Sequence, residues 1–166
     1  MNELRFDGRV AVITGAGRGL GRAYALLLAS RGCKVVVNDN GGSTRGDEVV
    51  ASPADEVVAE IAAAGGEAVT CTESVATAEG AAAIIQAAID CWGRIDVLIH
   101  NAGALHATRR TAPDGTEETV ASQVLGPFLL TGLLLARLRA SAPARVVTMS
   151  SGGMYATGLA VEHLEM

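Results

Sequence analysis

The chain has 166 residues, which suggests one domain over 1–166, and a domain of that size can bury about 70% of the surface its unfolded chain exposes. Hydrophobic residues make up 49% and charged residues 19%, a globular rather than a disordered composition. A formal charge of −5, with no basic run, argues against nucleic acid as a partner.

The opening MNELRFDGRVAVITG lacks the charged and then long apolar pattern of a signal peptide. RVAVIT, 9–14, reads as a first strand. GLGRAYALLLASRG, 19–32, reads as a helix stopped by Gly32. KVVVN, 34–38, is a second strand, followed by a polar, glycine-rich stretch over 39–52. Ser52 then offers a helix N-cap, with Pro53 in the first helical position and Asp55 in the first turn, opening a helix to about Ala64. EAVTC, 67–71, is a third strand. A helix over 77–92 places Ile84, Ile85, Ala88, Ile89 and Trp92 on one stripe.

RIDVLIH, 94–100, reads as a fourth strand buried on both faces. The pair Arg109-Arg110 reads as a solvated loop. A long helix spans 115–140, and RVVTMS, 145–150, is a fifth buried strand carrying Ser150 and Ser151 to its end. The leucine-rich run VLGPFLLTGLLLA within that helix is too short to span a bilayer and holds Gly126 and Pro127, so no membrane span is expected. Strands that alternate with helices, and that are continuously apolar, imply a parallel sheet covered by helices on both faces. Cys33, Cys71 and Cys91 form no metal-ligand or CxxC pattern. They read as buried free thiols in a reducing, cytoplasmic setting, and no metal site is expected.

TGAGRGLG, 14–21, follows the first strand and opens the first helix. Glycines there let the backbone approach a pyrophosphate, whose charge is stabilised by free N–H groups and the positive end of the helix. The strict GxGxxG spacing is absent. TGxxxGxG fits, with Gly15, Gly19 and Gly21 in register, and Arg18 and Leu20 between them. Asp39, at the end of the second strand, is positioned to accept both ribose hydroxyls of NAD and to repel the 2′-phosphate of NADP. Arg18 pulls toward NADP, and Asp39 outweighs it.

TGAGRGLG, HNAG (100–103) and VVTMSS (146–151) occur in that order with suitable spacing. The chain resembles the short-chain dehydrogenase/reductase family along its entire length. VVVNDNGGSTRGD and SPADEVVAEIAAAGGEAV resemble the (3R)-hydroxyacyl-CoA dehydrogenase unit of peroxisomal multifunctional enzymes. HNAGALHATRRTAPDGTE, VLGPFLLTGLL and VVTMSSGGMY resemble the retinol-dehydrogenase-like branch. The resemblance implies a Rossmann-type doubly wound parallel sheet of at least five strands, incomplete at the C-terminus.

It also implies an oxidoreductase that moves hydride between NAD(P) and a hydroxyl or carbonyl of a small acyl or lipid-like substrate. It makes Ser74 and Val75 the adenine contact, and Asn101, Ala102 and Gly103 the neighbours of the nicotinamide ribose. His100, in place of the usual asparagine, reads as a hydrogen-bonded core residue. The family orients the substrate oxygen with a serine, handles the proton with a tyrosine, and lowers that tyrosine's pKa with a lysine one helical turn on. Ser151 matches the serine. Gln123 stands where the family has a relay asparagine, one methylene longer. Tyr155 follows Ser151 too closely and has Leu159, not lysine, four residues on; no lysine follows Lys34.

The expectation is therefore a chain that stops before its Tyr-x-x-x-Lys helix. The alternative is a non-catalytic NAD-binding module or truncated remnant. In the family the helix over 115–140 contributes to a dimer interface, so self-association is expected through its stripe of Leu125, Leu129, Leu130, Leu133, Leu134 and Leu138.

Overall fold

A computed structural model describes residues 4–41, 52–104, 106–112 and 114–155. Among these residues five strands form one parallel sheet: β1 (Val10–Thr14), β2 (Lys34–Asn38), β3 (Ala68–Cys71), β4 (Val97–His100) and β5 (Arg145–Thr148). Their order is β3-β2-β1-β4-β5, so the chain reverses its direction of travel across the sheet between β1 and β4. In open α/β sheets that reversal opens a crevice at the carboxyl ends of the strands.

The helices are α1 (Gly19–Ser30), α2 (Pro53–Ala63), α3 (Ala78–Trp92) and α4 (Glu118–Ala140). Strand side chains alternate between two cores, because successive residues of a strand point to opposite faces. Ala11, Ile13, Val35 and Val37 pack with Ala25 and Leu28 of α1 and Val57 and Ile61 of α2. Val10, Val12, Val36 and Leu98 pack on the other face with Ile84 and Ala88 of α3 and Leu130, Leu134 and Leu138 of α4.

The layered α/β arrangement is the one expected, and the structure amends several details. Thr77 caps α3 by accepting the Gly80 N–H at 3.1 Å. Ser52 does not cap α2: its hydroxyl makes no cap bond and is buried without a partner, while Pro53 and the acids Asp55 and Glu56 sit in the first turn as expected. The fourth strand begins three residues later than the apolar run suggests. Asp96 turns inward there to accept the Val10 N–H at 2.9 Å and a two-pronged contact from Arg94. Most of the polar stretch 39–52 lies outside the described residues.

β5 is not a buried strand. Among the described residues it is the sheet edge, paired only with β4, and Val146 and Val147 are 42% and 43% exposed. The leucines of the long helix do not form one stripe. Leu130, Leu134 and Leu138 recur every four residues and are buried, whereas Leu125, Leu129 and Leu133 form the neighbouring row and face outward. The helix is also longer than the leucine-rich run within it: 23 residues, with mean hydropathy 1.6 over its most apolar window, long and apolar enough to cross a bilayer by length and composition alone. Here one side of it is the cover of the sheet. Cys33 and Cys71 are buried as expected; Cys91, on the outward side of α3, is exposed.

Candidate functional site: a cleft at the strand carboxyl ends

β1 delivers Thr14 and Gly15 to the carboxyl edge of the sheet. Gly15 adopts φ +63°, and a Cβ there would lie 2.8 Å from the Ala102 Cα, so only glycine lets this loop meet the one after β4. Gly21 sits underneath, where a Cβ would fall 2.2 Å from the Gly15 carbonyl oxygen. Gly19, at φ +53°, faces open space.

The N-terminus of α1 is chemically open. Its cap position is Arg18, whose side chain offers no oxygen to the helix amides, and no acid stands in the first turn. The unpaired amides and the positive helix end are thus left for an outside anion.

Asn101 ties the two loops together. Its side-chain amide donates to the carbonyls of Thr14 and Gly15 at 3.0 and 2.9 Å, while the N–H groups of Asn101 and Ala102 both donate to the Thr14 hydroxyl at 3.0 Å. At the end of β2, Asn38 donates to the carbonyls of Cys71 and Glu73 and so fixes the loop after β3. Asp39 follows, with one carboxylate oxygen accepting from the Gly17 N–H at 3.0 Å and the other from the Gly41 N–H at 2.9 Å. Gly126 of α4 packs on the Val75 carbonyl, where a Cβ would approach to 2.3 Å.

Around these contacts lies a cleft of about 370 Å³. It brings together Gly15, Arg18, Gly19, Asp39, Ser74, Val75, Asn101, Ala102 and Gly103 from four separate loops. Leu20 and Gly21 are not in its lining: Leu20 is 62% exposed and Gly21 is packed beneath the loop. Gln123 stands outside as well, in a π-helical turn of α4 (Ala121–Leu125), and its amide donates to the Ala104 carbonyl at 2.8 Å. Ser151 is exposed beyond β5, and Tyr155, in a short 3₁₀ turn, is 88% exposed; neither lines the cleft.

His100 is a core residue, as expected. It is 5% exposed, shares a 2.8 Å hydrogen bond with the Thr131 hydroxyl, and burial pushes its pKa below the usual 6.5. Nine lining residues escaped sequence reasoning: Asn38, Asn40, Glu73, Ala76 and Ala104, which adjoin expected ones, and His106, Arg110, Glu118 and Ser122. Arg110 is therefore not simply part of a solvated loop. His106 Nε2 lies 3.5 Å from the Glu118 carboxylate, and its Nδ1 is buried without a partner. Only the helix periodicity that stacks Glu118, Ser122 and Gly126 on one face hinted at this wall. Among the described residues no group of acids, histidines and cysteines is arranged to hold a metal.

A glycine turn into a helix, an acid at the end of β2 and a cleft at the chain reversal define a dinucleotide-binding α/β architecture. The family model for short chain dehydrogenases matches residues 9–160, and the chain belongs to that oxidoreductase family, which uses nicotinamide cofactors.

Over 103 residues in its N-terminal region the chain is 57% identical to the peroxisomal multifunctional enzyme type 2 of Drosophila melanogaster, covering 62% of this chain and 17% of that protein. It is similar to a 7α-hydroxysteroid dehydrogenase complexed with NADH and 7-oxo glycochenodeoxycholic acid, with TM-score 0.78, 26% identity, and 97% of this chain and 60% of the other covered. It is also similar to a metagenomic short-chain oxidoreductase in complex with NADP, with TM-score 0.71, 29% identity, and 87% and 63% covered. The chain thus spans less than two thirds of each of these relatives.

Proposed function

We propose that the cleft is the nicotinamide site of an oxidoreductase acting on a hydroxyl or carbonyl of an acyl or lipid-like molecule, and that it prefers NAD to NADP. The observation that carries this reading is the pairing of an uncapped, acid-free α1 N-terminus with Asp39 across one cleft. The amides near Gly19 suit a pyrophosphate, and Gly15 and Gly21 let the loop close beneath it. Asp39 keeps acceptor capacity on both oxygens for two ribose hydroxyls, since each takes one backbone N–H and a carboxylate oxygen has two lone pairs. Ser74 and Val75 suit the adenine edge, and Asn101, Ala102 and Gly103 the nicotinamide ribose. Bound nicotinamide supplies or takes the hydride.

A 2′-phosphate beside Asp39 loses two hydrogen bonds and gains a like charge, at a cost of at least ~2 kcal/mol, or roughly 30-fold in affinity. Fluorescence titration with NADH and NADPH tests this: equal dissociation constants would end the NAD assignment, and Asp39→Ala is expected to narrow the gap.

Ser151 is assigned the orienting of the substrate oxygen, with Gln123 holding the Ala104 loop. A second reading, a non-catalytic cofactor-binding module, has Tyr155 in its favour, an exposed side chain outside the cleft. Turnover assays on a sample that binds NADH separate the two. We also assign self-association to the outward face of α4. An intracellular compartment fits three free thiols; the relatives' names add the peroxisome to the cytoplasm, and imaging of the tagged chain decides between them.

A further inference from the structure

Gly17 differs in kind from the other glycines of its loop. Gly15 and Gly19 have positive φ, a reason for glycine that lies in the backbone itself. Gly17 has no such φ; any L-residue could take its backbone conformation. It is also buried, unlike Gly19, which faces open space. What stands in front of it is specific. A Cβ at 17 would lie 2.8 Å from one Asp39 carboxylate oxygen, 2.9 Å from the carboxylate carbon and 2.8 Å from the Pro53 Cβ. Pro53 is the buried, ring-locked start of α2 and has little room to give. Of the two, the Asp39 side chain is the freer to swing, so a side chain at 17 would displace it as well as press on Pro53. At present the carboxylate is seated by two backbone donors, Gly17 N–H on one oxygen and Gly41 N–H on the other.

We infer that Gly17 is a specificity-determining position that acts through Asp39: the missing side chain at 17 lets the carboxylate seat flat against the Gly17 amide, in the orientation that discriminates the adenosine ribose. Gly17 itself touches no cofactor in this scheme. It is a positioning residue, and it makes the charge of Asp39 directional. This rests on the proposal that Asp39 selects NAD.

The test uses the full chain and four variants, Gly17→Ala, Asp39→Ala, the double variant and Asp39→Glu, with dissociation constants for NADH and NADPH measured by cofactor fluorescence. Wild type is expected to favour NADH by roughly 30-fold. Gly17→Ala is expected to cut that ratio to about 5-fold or less, mostly by weakening NADH, and to add nothing in the Asp39→Ala background, as for two residues acting through one contact.

Asp39→Glu keeps the charge but not the seat. It needs no space at 17, so it serves if Gly17→Ala does not fold; it is expected to reduce the ratio as well. Gly17→Ala weakening both cofactors by the same factor would assign Gly17 to loop packing alone and overturn the inference, as would Asp39→Glu at the wild-type ratio. A wild-type ratio near one, unmoved by Asp39→Ala, would instead remove the NAD assignment on which the inference stands.

Discussion

Thr14 carries more of the cleft than its size suggests. Its hydroxyl is 2% accessible as part of the residue, accepts two N–H groups from the loop after β4, and lies 3.4 Å from the Ile99 carbonyl. Thr14→Val preserves the shape and strands both amides. The expected cost is about 2–4 kcal/mol by urea denaturation, with weaker NADH binding; a loss under ~1 kcal/mol would mean that water or a loop shift repairs the site.

His100 gives the fold a pH dependence of known sign. Burial depresses its folded pKa below 6.5, so between that value and about 6.5 the unfolded chain binds a proton that the folded one does not. Stability from this residue is intact above pH ~6.5 and falls as the pH drops toward the folded pKa, by no more than about 1.4 kcal/mol per pH unit. His100→Gln is expected to flatten the stability curve in that window, and an unchanged curve would exclude His100 as its source. Gly15 and Asp39 could be read from local motif grammar, because their roles follow from a strand end and a turn. The hydroxyl of Thr14, the His106–Glu118 pair and the Gly17–Asp39 contact could not, since each depends on loops meeting from distant parts of the chain.

The long helix α4 shows where apolar patterning reaches its limit. Its existence was legible, but a helix apolar on every side does not say which row is buried, and contact with α3 and the sheet decides it. The row Leu130, Leu134 and Leu138 is the structural one; Leu134→Ala is expected to cost about 2–5 kcal/mol. The outward rows include Val124, Leu125, Leu133 and Phe128, the last 81% exposed. We expect concentration-dependent self-association in light scattering. Phe128→Glu should suppress it without changing the far-ultraviolet circular dichroism, and a monodisperse monomer at high concentration would contradict the assignment. β5 meets a related limit: RVVT is apolar enough for a central strand, but composition does not reveal whether a strand has a neighbour on both sides.

At the scale of the molecule, cofactor binding is expected to be independent of the side chains beyond β5. Among the described residues the cleft lining runs to Ser122, whereas Ser151 and Tyr155 stand beyond β5, outside it. NADH at about 100 times its dissociation constant is expected to stabilise the fold by roughly 2.7 kcal/mol, read as a rise in Tm. In the same sample, NADH oxidation with acyl-CoA ketones, retinal-like aldehydes or steroids is expected to be unchanged by Tyr155→Phe. A tuned acid contributes about 10²–10⁴-fold, and an exposed tyrosine lacks the lysine that would tune it. Robust turnover abolished by Tyr155→Phe would show that this tyrosine does the chemistry after all.

The position of the cleft along the chain also bears on how the protein is made. A ribosome has placed every described cleft-lining residue before it begins the second half of α4, and the β5 edge comes later still. Cofactor present during synthesis could therefore engage the emerging sheet β3-β2-β1-β4 and act as a folding template. On that basis the yield of native protein in a translation mixture should respond to added NADH.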